Sequence, residues 1–132
     1  MPHQNIVAGT ALPPLEIARI TRRTLALFAG ASGDHQPVHI DIDAAKARGR
    51  DDVFAHGMLS MAFLGRYLTD WVPQERIRSF ETRFAAITPL YAEPVCSGRV
   101  VEVENGLARV ELEITLQDGT TTVRGKAVVN VS

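Results

Sequence analysis

Between Arg109 and Leu116 every second side chain is aliphatic: Val110, Leu112, Ile114 and Leu116 alternate with Arg109, Glu111, Glu113 and Thr115. That period of two belongs to an extended chain with one dry face and one wet face. Asn105-Gly106 stands before this segment and Asp118-Gly119 after it, and both dipeptides accept the positive φ of a tight hairpin turn. Three successive antiparallel strands are therefore expected, near residues 94–104, 107–117 and 121–131. A fourth is expected at 79–88, with Phe80, Thr82, Phe84 and Ala86 on one face.

The front of the chain reads differently. Glu16 to Arg22 suggests a short strand leading to Thr21, a good helix N-cap, after which Leu25, Phe28 and Ala29 fall at helical spacing until Gly30 and Gly33 end the helix. Pro37 cannot occupy a helix interior and pushes Gln36 toward extended backbone, so a loop follows, with a short helix after Asp43. From Gly57 to Val72 the chain is apolar on nearly all sides for its first half, and Pro73 stops it. A helix without a polar face belongs in the middle of a protein. The order of elements predicts an α+β fold in which an antiparallel sheet wraps around one long central helix. Such a single layer leaves its other face and its edges open, and pairing with a second copy is the simplest cover.

At 132 residues one core is expected, hence a single domain over 1–132. With 45% hydrophobic and 22% charged residues the chain should be ordered apart from a few residues at its start. Fourteen basic and fifteen acidic side chains leave no broad positive surface for nucleic acid. No apolar run reaches membrane-spanning length, and "MPHQNIVAGT" lacks the features of a signal peptide, so neither a membrane nor export is expected and the location reads as cytoplasmic. The lone Cys96 reads as a reduced, buried or half-buried thiol.

Polar and turn-forming residues are densest from Ser32 to Asp41, "SGDHQPVHID", followed by "AHGMLS" at the mouth of the apolar helix. Asp34 and His39, five residues apart across a loop bent by Pro37, can bring a carboxylate and an imidazole to one water, the geometry general acid–base catalysis needs. The plain alternative is that Asp34 caps the turn after Gly33 while His39 packs as a hydrogen-bonded core residue. His35, His39, His56, Asp34, Asp41 and Asp43 also lie close in sequence, but Pro37 breaks the helix that a His35–His39 pair would need, and no HExxH or Cys pair is present. No metal or other cofactor is expected. His56 and Gly57 open the long helix, where unpaired N–H groups and the helix dipole favour a negative oxygen, so the Gly57 amide is a candidate oxyanion donor or simply a glycine in a crowded place. Ser60 could support a catalytic side chain or bond back to the carbonyl of His56.

Taken together, "FAGASGDHQPVHID" and "FAHGMLSM" resemble the two-part signature of the MaoC-like family, roughly F-A-x-x-S-G-D-x-N-P-x-H-x-D and then A-H-G-M-L. "TRFAAITPLYAEPV" and "GKAVVNV" look like the family's core strands, so the resemblance spans nearly the whole chain. It is also similar to the short bacterial forms that act as (R)-specific enoyl-CoA hydratases and 3-hydroxyacyl thioester dehydratases. The resemblance implies a hotdog fold working as a pair of copies. It further implies that Asp34 and His39 are the catalytic dyad, that the Gly57 amide polarises the thioester carbonyl, and that Ser60 lies near a supporting position. The pattern departs at Gln36, where the family has Asn, so the brace it supplies is expected to shift.

The substrate implied is a trans-2-enoyl or (R)-3-hydroxyacyl thioester of coenzyme A or acyl-carrier protein, with water added or removed. His56, Met58, Met61 and Phe63, with Leu64 nearby, are the expected substrate-binding wall beside the oxyanion site. Two other readings stay open: a hotdog thioesterase, and the active subunit of a heteromeric acyl dehydratase.

Overall fold

The structure, a computed structural model, describes residues 5–132. The looser start expected of the chain falls on residues 1–4, outside the described residues. Five strands form one antiparallel sheet: β1 (Ala11–Glu16), β2 (Ile77–Phe84), β3 (Val95–Glu104), β4 (Leu107–Thr115) and β5 (Thr121–Asn130). Their spatial order is β1-β3-β4-β5-β2. Three helices precede β2, namely α1 (Arg22–Ser32), α2 (Ile42–Ala47) and α3 (Gly57–Trp71).

The alternation that dominates the sequence sets the two faces of this sheet. Val110, Leu112 and Ile114 of β4 and Val123, Ala127 and Val129 of β5 are buried against Leu64, Tyr67 and Leu68 of α3. Their alternates form an exposed charged surface with the pairs Arg99–Glu111, Arg109–Glu102 and Arg124–Glu113 at 3.9, 3.4 and 3.8 Å. Such exposed pairs contribute at most about 1 kcal/mol each. The open sheet face is thus a charged, wetted surface, and β1 and β2 are its edge strands. Asn105 and Gly106 both adopt positive φ (53° and 75°), the two-residue hairpin expected between β3 and β4.

The sheet packs over one flank of helix α3. Met58, Ala62, Arg66, Thr69 and Asp70 form an exposed stripe, so the expectation of a helix buried on all sides is corrected. Its register against β2 rests on two aromatic rings over two glycines. A Cβ on Gly57 would lie 3.0 to 3.2 Å from the ring of Phe84, and one on Gly65 3.7 Å from that of Phe80. Eight helical residues advance about 12 Å and four strand residues about 13 Å, so both contacts can form at once.

Other boundaries differ from the sequence reading. The first strand is 11–16, not 16–22: Pro13 and Pro14 are accommodated because β1 is an edge strand whose ladder shifts register between Leu12 and Leu15. Thr21 caps α1 as expected, in a reciprocal arrangement with Thr24. Gly30 remains inside that helix, and only Gly33, at φ 76°, closes it. Helix α2 starts before Asp43, because the Asp41 carboxylate accepts from the Asp43 N–H at 2.9 Å and caps the helix two residues earlier. β2 ends at Phe84, and the N–H groups of Ala85 and Ala86 both turn to the carbonyl of Thr122. Cys96 is fully buried, and burial pushes its thiol up to about 12.

Candidate active site

The αL cap at Gly33 turns the chain sharply out of α1 and leaves Asp34 half-buried at the start of the loop. Ser32 Oγ accepts from the Asp34 N–H at 3.2 Å, and Asp34 Oδ1 accepts from the Gln36 N–H at 3.2 Å. The contact from Gln36 is therefore made by its backbone, which the longer side chain does not alter. Pro37 opens a single 3₁₀ turn, Pro37–His39, that swings His39 back toward Asp34.

His39 Nδ1–H donates to the Phe54 carbonyl at 2.7 Å, and its ring meets that of Phe54 edge-on at 5.0 Å. The carbonyl can only accept, so Nδ1 carries the proton of this bond. His56 is 1% exposed, and its Nε2–H donates to the backbone carbonyl of Asp34 at 3.0 Å. Its ring stacks on His39 with centroids 3.9 Å apart and packs edge-on against Phe28 at 4.8 Å. Burial, joined by the neighbouring His39, holds His56 below the usual histidine range, against the pull of its bond to Asp34. A carboxylate oxygen of Asp34 and ring nitrogens of His39 and His56 all lie within 4.8 Å of one another. Asp34 and His39 are thus brought together, as their spacing allowed.

Beside His39 lies a cavity of about 350 Å³. Gly57, the first residue of α3, and Ser60 line it on one side, and Phe84, Ala86, Ile87 and Val123 on the other. The Gly57 N–H is at the positive end of a 15-residue helix, where no intrahelical acceptor exists for it. The Ser60 hydroxyl meets neither Asp34, nor His39, nor the His56 carbonyl; it lies 3.4 Å from Thr88 Oγ1, while the His56 carbonyl accepts from Leu59 N–H.

The four residues expected to bind substrate lie apart from this cavity. His56 sits behind His39, Met58 is 56% exposed, Met61 is half-buried, and Phe63 packs against both apolar clusters of the core. None of the four lines the cavity. Phe84, Ala86 and Ile87 line it instead, and the sequence signals only a strand there, not that its end folds over the start of α3. A larger cavity of about 520 Å³, lined by Leu12, Tyr67 and Trp71 among others, lies at the far end of α3 from this pair.

Residues 8–129 match the family model described as MaoC like domain. The chain is 33% identical over 107 residues to the 3-oxo-4,17-pregnadiene-20-carboxyl-CoA hydratase beta subunit of Mycobacterium tuberculosis, covering 80% of this chain and 82% of that one. It is 27% identical to 3-hydroxyacyl-thioester dehydratase Z of the same species, covering 83% and 79%. Among solved structures it is similar to a chain of the ChsH1-ChsH2 complex from Mycobacterium tuberculosis, with TM-score 0.86 and 28% identity over 98% of this chain and 100% of that one. It is also similar to R-hydratase PhaJ1 from Pseudomonas aeruginosa, with TM-score 0.83 and 27% identity over 94% and 81%. The shared arrangement is the hotdog fold. Among the described residues no helix is long and apolar enough to cross a membrane.

Proposed function

The chain belongs to the MaoC-like family of hydratases and dehydratases, and from that premise we propose that it adds water to trans-2-enoyl thioesters and removes it from (R)-3-hydroxyacyl thioesters, with Asp34 and His39 as the reacting pair. One observation carries this reading: a carboxylate oxygen of Asp34 and a ring nitrogen of His39 lie within 4.8 Å of each other, and His39 lines a cavity together with Gly57, the first residue of α3. In hydration, the carboxylate and Nε2 hold a water whose oxygen bonds to the β-carbon. One water proton passes to the pair, the α-carbon gains a proton, and the Gly57 N–H stabilises negative charge on the thioester oxygen in between. Ser60, bonded to Thr88, shapes the cavity wall rather than touching the pair.

The acyl group, carried by coenzyme A or acyl-carrier protein, fits the apolar cavity wall of Phe84, Ala86 and Ile87. The protein works as a dimer in the cytoplasm. Met58, Phe84, Ile87 and Tyr91 are 56, 51, 38 and 44% exposed, and Phe84 and Ile87 belong to the cavity itself, so a second copy would cover apolar surface where substrate enters. A different partner chain is the second reading, favoured by the similarity to a hydratase beta subunit and to a chain of a two-component complex.

The test is loss of enoyl absorbance with crotonyl- and octenoyl-CoA. Asp34→Asn and His39→Ala are each expected to lower kcat by about 10² to 10⁴ with the fold intact. Near-normal turnover in either folded variant sinks the pair, and release of free thiol instead of hydration marks a thioesterase.

A further inference from the structure

We propose that His56 is a positioning residue: by donating Nε2–H to the Asp34 carbonyl and stacking on the His39 ring, it sets the two reacting side chains against each other while remaining a neutral imidazole itself. This rests on Asp34 and His39 being the reacting pair.

Three contacts support it. The Asp34 carbonyl can only accept, so the proton of His56 must be on Nε2, and Nδ1 keeps its lone pair. Nδ1 is buried and has no hydrogen-bond partner among the described residues. A protonated His56 would hold a second N–H with nothing to receive it, face to face with His39 at 3.9 Å. His56 is thereby excluded as the group that exchanges protons with substrate, and it does not line the cavity. What its ring touches is the pair itself: the backbone of Asp34 on one side and the flat face of His39 on the other, with Phe28 fixing its tilt.

A purely structural role makes a different forecast. A phenyl ring fills the same space, keeps the stack, and removes a buried unpaired nitrogen, so for a residue that only packs, His56→Phe is harmless or stabilising. For a positioning residue it frees the Asp34 carbonyl, lets the loop between Gly33 and Pro37 drift, and lowers kcat.

The experiment compares His56→Phe and His56→Gln in the full chain with crotonyl-CoA as substrate, alongside ¹⁵N NMR of the imidazoles without substrate. The Phe variant is expected to lose about 10- to 100-fold in kcat with KM changed less than about threefold, the scale of effect that small misplacements produce. Gln, whose amide can donate to the same carbonyl, is expected to recover most of that loss. The wild-type spectrum should show His56 protonated at Nε2 alone near neutral pH. The proposal is overturned by a folded Phe variant within twofold of wild-type kcat, by Gln being as impaired as Phe, or by a loss beyond about 10³ in both, which would make His56 a reacting group. A Phe variant that does not fold leaves Gln and the tautomer to decide. His56 found protonated at Nδ1 removes the proposal alone, whereas an active Asp34→Asn enzyme with the expected tautomer removes the pair instead.

Discussion

His56 carries a cost that shows in the pH dependence of stability. Its folded value lies below the 6.5 of an ordinary histidine, chiefly through burial, so the unfolded chain takes up this proton first as the pH falls. The contribution is complete above pH 6.5 and is lost as the pH drops through the folded value. Chemical denaturation midpoints should therefore fall between pH 7 and 5, and His56→Gln should flatten that slope; an unchanged slope would mean that His56 titrates alike in both states. At this scale the sequence was readable where chemistry dictates residue type. Asp34, His39 and Gly57 stand out because a carboxylate, an imidazole and a helix-start glycine form a recognisable set. The work of His56, by contrast, depends on one ring lying flat on another, and the bond of Ser60 on a threonine 28 positions away. No spacing encodes either contact.

Helices and strands were legible where period and caps agree, and obscure where an edge relaxes the rules. The hairpins around β4 followed from alternation and turn dipeptides, whereas β1 was displaced because prolines that would break an inner strand are tolerated at a bulge on the outermost one. The same distinction applies to two glycines of α1. Gly30 has helical φ and nothing within 4 Å of a built Cβ, while Gly33 has equal space but φ of 76°. Gly30→Ala should stabilise by about 0.5 to 1 kcal/mol, a few degrees in Tm, and Gly33→Ala should destabilise despite the room around it. Thermal melts of the two check this, and equal shifts would show that space rather than backbone decides. Past the end of β2, the segment with Ala86 forms one wall of the cavity. Ala86→Trp is expected to reduce turnover of octenoyl-CoA at least tenfold more than that of crotonyl-CoA, since each methylene excluded is worth about 0.8 kcal/mol, near fourfold. A uniform loss across chain lengths would place the acyl tail elsewhere.

For the molecule as a whole, the α+β arrangement was evident because the aliphatic alternates of β4 and β5 and the apolar flank of α3 can only be satisfied by each other. The surface on which the proposed association rests was not: it is the open apolar residues around the cavity and not the charged sheet face. Light scattering at micromolar concentration should give about twice the 14.4 kDa of one chain, little affected by salt because the contact is apolar. Ile87→Glu should shift it toward monomer. A wild-type monomer that gains activity only with another chain supports the heteromeric reading, and an active monomer rejects both. The strand order also has a history in time. α3 is complete at Trp71, but β5, which seats β2 beside it, begins only at Thr121, 50 residues later (121 − 71). At about 5 to 20 residues per second on the ribosome, the helix waits on the order of three to ten seconds with its apolar flank uncovered. Newly made chains should therefore depend on holding chaperones during synthesis far more than the finished protein does afterwards.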